Sequence, residues 1–103
     1  MRYDIVLAPA AAHQLRALRA HVRGEVRDAI ERHLRFEPMK LSQSRIKRLR
    51  GLTRPQYRLR IGEVRVFYDV EENRVAILAV VDKGEAAAWL KTEGREGDEG
   101  TDR

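Results

Sequence analysis

Residues Ile61-Gly62-Glu63-Val64 constrain the fold of this chain more than any other stretch. A glycine in the first of two turn positions, between β-branched neighbours, is what a type II′ hairpin needs, because that position takes a positive φ that glycine adopts without strain. Runs rich in β-branched and aromatic residues flank it, Tyr57–Ile61 and Val64–Val70, and a third follows at Val75–Val81 after a turn at Glu71-Glu72-Asn73. Pairing outward from the Gly62-Glu63 turn sets a register: Ile61 opposite Val64, Arg60 opposite Arg65, Leu59 opposite Val66 and Arg58 opposite Phe67. Strand side chains alternate, so Leu59, Ile61, Val64 and Val66 share an apolar face and Arg58, Arg60, Arg65 and Phe67 share the other. Tyr57 and Tyr68 fall on the apolar side and read as packing residues.

Upstream, the period is helical. Arg2–Leu7 reads as a first strand, and Ala8-Pro9 opens a helix, since proline is tolerated at the first helical position. Ala11, Leu15, Leu18 and Val22 recur at helical spacing, as do Val26, Ala29, Ile30 and Leu34 in a second helix expected over 23–37. Gly24 is the expected connection between them, and Pro38 the expected stop. A basic, edge-like strand is expected over 45–50, ending at Gly51. Downstream of the third run, Glu85–Lys91 reads as a short helix that Trp89 anchors to the sheet. Helices grouped apart from an antiparallel meander predict an α+β domain: an N-terminal strand, a helical hairpin on one face of a sheet of about four antiparallel strands, and a short C-terminal helix. The opposite sheet face is left partly open. One domain over 1–91 is expected, with 92–103 a disordered charged tail, because that segment holds three glycines and no large apolar residue.

Charge narrows the function. The 103 residues carry 21 Lys+Arg and 16 Asp+Glu, a formal charge of +5. Nine of the cations lie between Lys40 and Arg65, against the single acid Glu63, so this quarter of the chain holds more than the whole positive excess. A concentrated basic field attracts polyanions. Arg60 opposite Arg65 is destabilising by up to about 1 kcal/mol, and an anion between them relieves it. A guanidinium fork fits phosphate oxygens in bidentate fashion, which makes a phosphodiester the natural ligand. The alternative, two solvated and screened guanidiniums, stays open at this point.

With no cysteine, disulfide scaffolds, thiolate metal sites and cysteine nucleophiles are excluded. No apolar run approaches the roughly 18 residues of a membrane span, and Asp4, Pro9 and His13 interrupt the N-terminal stretch, so neither a span nor a signal peptide is expected. A cytoplasmic protein is the expectation. His13, His21 and His33 lack the i,i+4 spacing of a helical metal pair, and Asp69, Glu71 and Glu72 read as solvated turn carboxylates. No metal or small-molecule cofactor is expected.

The string Arg48-Leu49-Arg50-Gly51, followed by Gln56-Tyr57-Arg58-Leu59-Arg60-Ile61-Gly62-Glu63-Val64-Arg65-Val66-Phe67-Tyr68, resembles the central hairpin of the RelE/ParE superfamily of type II toxins. The order of elements matches as well, so the resemblance covers residues 2–91. It implies a toxin held by a cognate acidic antitoxin. RelE-type members cut mRNA in the ribosomal A site by attack of the 2′-hydroxyl on the adjacent phosphate, leaving a 2′,3′-cyclic phosphate. By this resemblance Arg58, Arg60, Arg65 and Lys83 are the expected catalytic residues, and Trp89 stands where well-known members carry a tyrosine. Lys47, Arg48, Arg50 and Arg54 are the expected RNA-binding cations. Arginine does not deprotonate in a protein and an indole is no phenol, so proton transfer falls to Lys83, Tyr57, Tyr68, Asp82 or Glu85. Partners implied are the antitoxin, the ribosome and mRNA, with operator DNA reached only through the antitoxin and no membrane. The alternatives are a ParE-type toxin that inhibits DNA gyrase by protein binding, and a homologue without toxicity.

Overall fold

A computed structural model describes residues 1–97. The elements run β1 (Asp4–Leu7), α1 (Pro9–Arg16), α2 (Ala20–Leu34), β2 (Ile46–Arg48), β3 (Leu52–Arg54), β4 (Tyr57–Ile61), β5 (Val64–Glu71), β6 (Arg74–Asp82), α3 (Lys83–Glu93) and β7 (Arg95–Glu96). Strands order as β1-β6-β5-β4-β2 in one sheet, and β3 pairs with β7 in a second. The expected α+β architecture is therefore present: the four antiparallel strands β2, β4, β5 and β6 form the sheet, and the N-terminal strand β1 adds to its edge, joining β6 in parallel.

The hairpin register is the one read from the turn, from Ile61↔Val64 through Arg60↔Arg65 and Leu59↔Val66 to Arg58↔Phe67. Gly62 takes φ +56°, the conformation for which glycine was selected there. Leu59, Val64, Val66 and Tyr68 on one face meet Ala11, Leu15, Val26, Ile30 and Leu34 of the helices in the main core. Each such large apolar side chain removed from water contributes about 1.5–3 kcal/mol.

β6 serves both faces because it carries a bulge. Phe67 pairs with Ala79 and Tyr68 with Ile77, so Leu78 is the extra residue between them. Val75 and Ile77 face the helices, as does Val80, whereas Ala79 and Val81 join Phe67 on the opposite face. Where β1 ends, α1 completes the hydrogen bonding of β6: the Val80 N–H donates to Gln14 Oε1 at 2.7 Å.

The helical connection is not at Gly24. α2 begins at Ala20 and ends at Leu34, so the turn lies at Ala17–Arg19 and Gly24 is inside the helix, with open space around its Cα. Arg23 explains the placement. Its Nη1 donates to Arg16 O at 3.1 Å and Leu18 O at 2.8 Å, satisfying carbonyls that the end of α1 leaves open. A further correction concerns the expected disordered tail. α3 extends to Glu93, and Arg95–Glu96 pair with β3, with the Gly97 N–H donating to Gly51 O at 2.8 Å. Backbone pairing holds this segment where no apolar side chain could; the remaining expected tail, 98–103, lies outside the described residues. Among the described residues no helix is long and apolar enough to cross a membrane.

Candidate phosphate-binding face

The sheet face opposite α1 and α2 gathers cations in rows set by the register. Lys47 pairs with Arg58, which pairs with Phe67; one row along, Arg60 pairs with Arg65, which pairs with Val81. Lys47, Arg58, Arg60 and Arg65 therefore project from one face. On its far side α3 covers Phe67, Ala79 and Val81 with Ala86, Trp89 and Leu90. Trp89 anchors α3 as expected, its ring stacked on Phe67.

Arg58 sits deepest in this group. Burial lowers its pKa first, then the charges of Arg65 and Arg60, and its buried Nε has no hydrogen-bond partner. An unpaired buried donor costs about 1–3 kcal/mol. Arg65 folds back over the turn, with Nη1 donating to Gly62 O at 2.8 Å and Val64 O at 3.1 Å. Those carbonyls offset part of its repulsion with the exposed Arg60. Lys83 opens α3 beside the turn: its N–H donates to Glu63 O at 2.7 Å and its Nζ lies 3.2 Å from Glu63 Oε1.

Three of the expected RNA-binding cations stand elsewhere. Arg48 pairs with Tyr57, so it lies on the helix side of the sheet, its guanidinium 5.3 Å from the Tyr57 ring and donating to Gln56 O at 2.9 Å. Tyr57 in turn stacks on Tyr68 at 5.4 Å, so Arg48 ends a structural stack. Arg54, in β3, lies 3.9 Å from Asp69. Arg50 is exposed in the turn before β3.

Asp69 corrects another expectation. It is a buried member of β5, 7% exposed, and accepts the Gln56 N–H at 2.7 Å. The Gln56 side chain returns the contact by accepting the Val70 N–H at 2.9 Å. The pair fixes the loop carrying Arg50 and Arg54. The alternation of Val64, Val66, Tyr68 and Val70 already puts residue 69 on the Phe67 face; its neighbours Glu71 and Glu72 masked that signal.

The proton-transfer candidates separate clearly. Tyr68 is fully buried on the helix side, its hydroxyl donating to Pro38 O at 2.6 Å, and burial drives its pKa far up. Tyr57 shares that side. Asp82 caps α3 by accepting the Gly84 N–H at 3.2 Å. Lys83, paired with Glu63 beside the hairpin turn, and Glu85, exposed in the first turn of α3, remain. No cluster of three or more metal-binding side chains occurs among the described residues.

A family model described as the ParE toxin of the parDE type II toxin–antitoxin system matches residues 5–87. The chain belongs to the ParE toxin family. Solved structures agree with the fold of this ParE-family toxin. The toxin–antitoxin complex RelBE2 from Mycobacterium tuberculosis matches at 23% identity and TM-score 0.66, over 80% of this chain and 99% of that one. The RelE–RelB complex from Pyrococcus horikoshii OT3 matches at 29% identity and TM-score 0.59, over 82% and 98%. The RelB–RelE complex from Methanococcus jannaschii matches at 19% identity and TM-score 0.63, over 82% and 98%. A search of curated proteins gives no significant match. In this ParE-family chain the family match runs from within β1 to the middle of α3, and so includes every cation of the open face.

Proposed function

We propose that this toxin cuts mRNA on the ribosome, using its basic sheet face to hold the scissile phosphate, and that a cognate acidic antitoxin neutralises it. The observation that carries the reading is Arg58: a half-buried guanidinium with an unpartnered Nε, crowded by Arg60 and Arg65 and paired with Lys47. A phosphodiester supplies the missing acceptor and relieves the like-charge contacts. In the reaction the 2′-oxygen attacks phosphorus and the 5′-oxygen leaves, giving a 2′,3′-cyclic phosphate. Arg58, Arg60 and Arg65 neutralise charge on the pentacovalent transition state, which is often the largest single contribution to such catalysis. Lys83, held by Glu63 beside the hairpin turn, is assigned the proton exchange; it reaches the phosphate by releasing Glu63.

A second reading is inhibition of DNA gyrase through protein contact. Trp89 favours it, since an indole stacked on Phe67 supplies anchoring and no acid. One experiment separates the two: the protein with ribosomes programmed by an end-labelled message, beside free message, an Arg60→Ala/Arg65→Ala control and a gyrase supercoiling assay. Ribosome-dependent cuts that need both arginines and end in cyclic phosphate support cleavage. Intact message with blocked supercoiling moves the reading to gyrase. Lys83→Ala belongs in the same series; undiminished cleavage makes Lys83 only the partner of Glu63.

A further inference from the structure

The face bearing Arg58 leaves one conspicuous surface unexplained. Six large apolar side chains are exposed among the described residues, and three of them fall within six positions: Phe36 (56%), Met39 (49%) and Leu41 (57%). They are not exposed by slack in the chain. Pro38 between them is fully buried, and its carbonyl accepts the Tyr68 hydroxyl at 2.6 Å. The Lys40 N–H closes the turn onto Glu37 O at 3.2 Å, and Ser42 Oγ accepts the N–H groups of Arg45 and Ile46. A turn pinned from inside presents its apolar residues outward in fixed positions, which reduces the ordering cost of binding.

Cations rim the same turn. A cleft of about 130 Å³ opens between the end of α2 and β2, lined by residues that include His33, Lys40, Leu41 and Arg45. His33 is held below its ordinary pKa by burial first and then by Arg45 and Arg32, so both guanidiniums bear on it. Neither Arg32 nor Arg45 makes an ion pair among the described residues, and Glu37, the acid of the cleft, lies 3.8 Å from Lys40. Apolar anchors with a cationic rim suit a partner segment of the opposite pattern.

We propose that the Pro38 turn is a docking site for an acidic amphipathic segment of the antitoxin, its apolar residues on Phe36, Met39 and Leu41 and its carboxylates toward Lys40 and Arg45. The inference rests on the toxin reading. Tyr68 ties the turn to the helix side of the sheet, whereas Arg58, Arg60 and Arg65 project from the other face; the two regions meet at the backbone, where Arg45 O accepts the Arg60 N–H at 2.9 Å.

The test uses the full chain and its cognate antitoxin. Dissociation constants are measured for the native toxin, for Phe36→Ser/Met39→Ser/Leu41→Ser and for Lys40→Glu/Arg45→Glu, at low and moderate salt. Growth arrest by each toxin alone is scored in parallel. Both variants are expected to bind antitoxin at least tenfold more weakly, the charge variant with a flatter salt dependence, while still arresting growth. Unchanged affinity overturns the proposal. So does lost growth arrest with antitoxin affinity intact, which makes the turn a contact for the toxin's target, whether ribosome or nucleic acid. Should a variant fail to fold, hydrogen exchange of residues 36–45 in the native complex decides, and absence of added protection overturns the site. A native chain that binds antitoxin yet never arrests growth defeats the toxin reading alone, since the affinity comparison stands without it.

Discussion

The ring of Trp89 lies flat on Phe67, centroids 5.0 Å apart and planes 3° from parallel. This contact sets where the basic face ends, because it fixes α3 over β5 and β6 while β4 and β2 stay open. α3 has no fully buried residue of its own and leans on Trp89, Leu90 and Ala86. Trp89→Ala is therefore expected to lower stability by about 2 kcal/mol, below the ~3–5 kcal/mol of buried aromatic truncations because the ring is only half-buried. Hydrogen exchange should quicken in α3 far more than in α1 or α2. Trp89→Phe should recover most of the loss; uniform destabilisation of the whole chain would show that the stack does not hold α3 specifically.

Arg58 sits at a cost to stability, with its Nε unpartnered and two guanidiniums close by. Arg58→Met keeps the aliphatic stem and removes an unpartnered donor and a like charge, so the melting temperature should stay level or rise, with a gain of up to about 1 kcal/mol. Cleavage of ribosome-bound message should fall by about 10²–10³. A variant that melts lower and cuts normally would make Arg58 a structural residue.

Asp69 gives a pH dependence with a definite sign. Burial, the largest influence, raises its pKa above the ordinary 3.8, while the Gln56 N–H and Arg54 oppose the shift. The folded chain thus binds this proton more tightly than the unfolded chain, and stability contributed by Asp69 declines as pH rises from about 4 through the folded pKa. Asp69→Asn keeps an acceptor for the Gln56 N–H and should abolish that decline. Asp69→Ala leaves the amide unpaired and should cost about 1–2 kcal/mol at any pH. Urea midpoints from pH 4 to 8 check both; parallel native and Asn curves would assign the pH dependence elsewhere.

The Tyr68 hydroxyl is the inner pin of the Pro38 turn. Tyr68→Phe should cost about 1–2 kcal/mol, since Pro38 O loses its donor in a buried place. The change should raise exchange at residues 36–41 while leaving the 57–67 hairpin protected. Equal exchange in the two segments would mean the turn is held by Pro38 packing alone.

The hairpin was legible in the sequence because its cause is local. Gly62 is the residue that a positive φ at the first turn position selects, and pairing outward from it places Arg60 against Arg65 and puts Phe67 on the open face. The apolar period of α1 and α2, the core-facing tyrosines and the anchoring role of Trp89 follow from equally short-range patterns. What the tertiary structure decided depends on partners far apart in the chain. β1 lies beside β6, some seventy residues away, and the bulge at Leu78 lets one apolar run serve two faces. Gly24 is helical because Arg23 reaches the end of α1; Asp69 is buried because the Gln56 loop closes over it; Arg95–Glu96 are ordered because β3 offers them a ladder. Turn sterics and side-chain alternation act within a few residues and can be read there. Burial and long-range pairing are sums over neighbours that exist only once the chain has folded, and they chose which of the clustered cations face the open sheet and which, like Arg48, turn away from it.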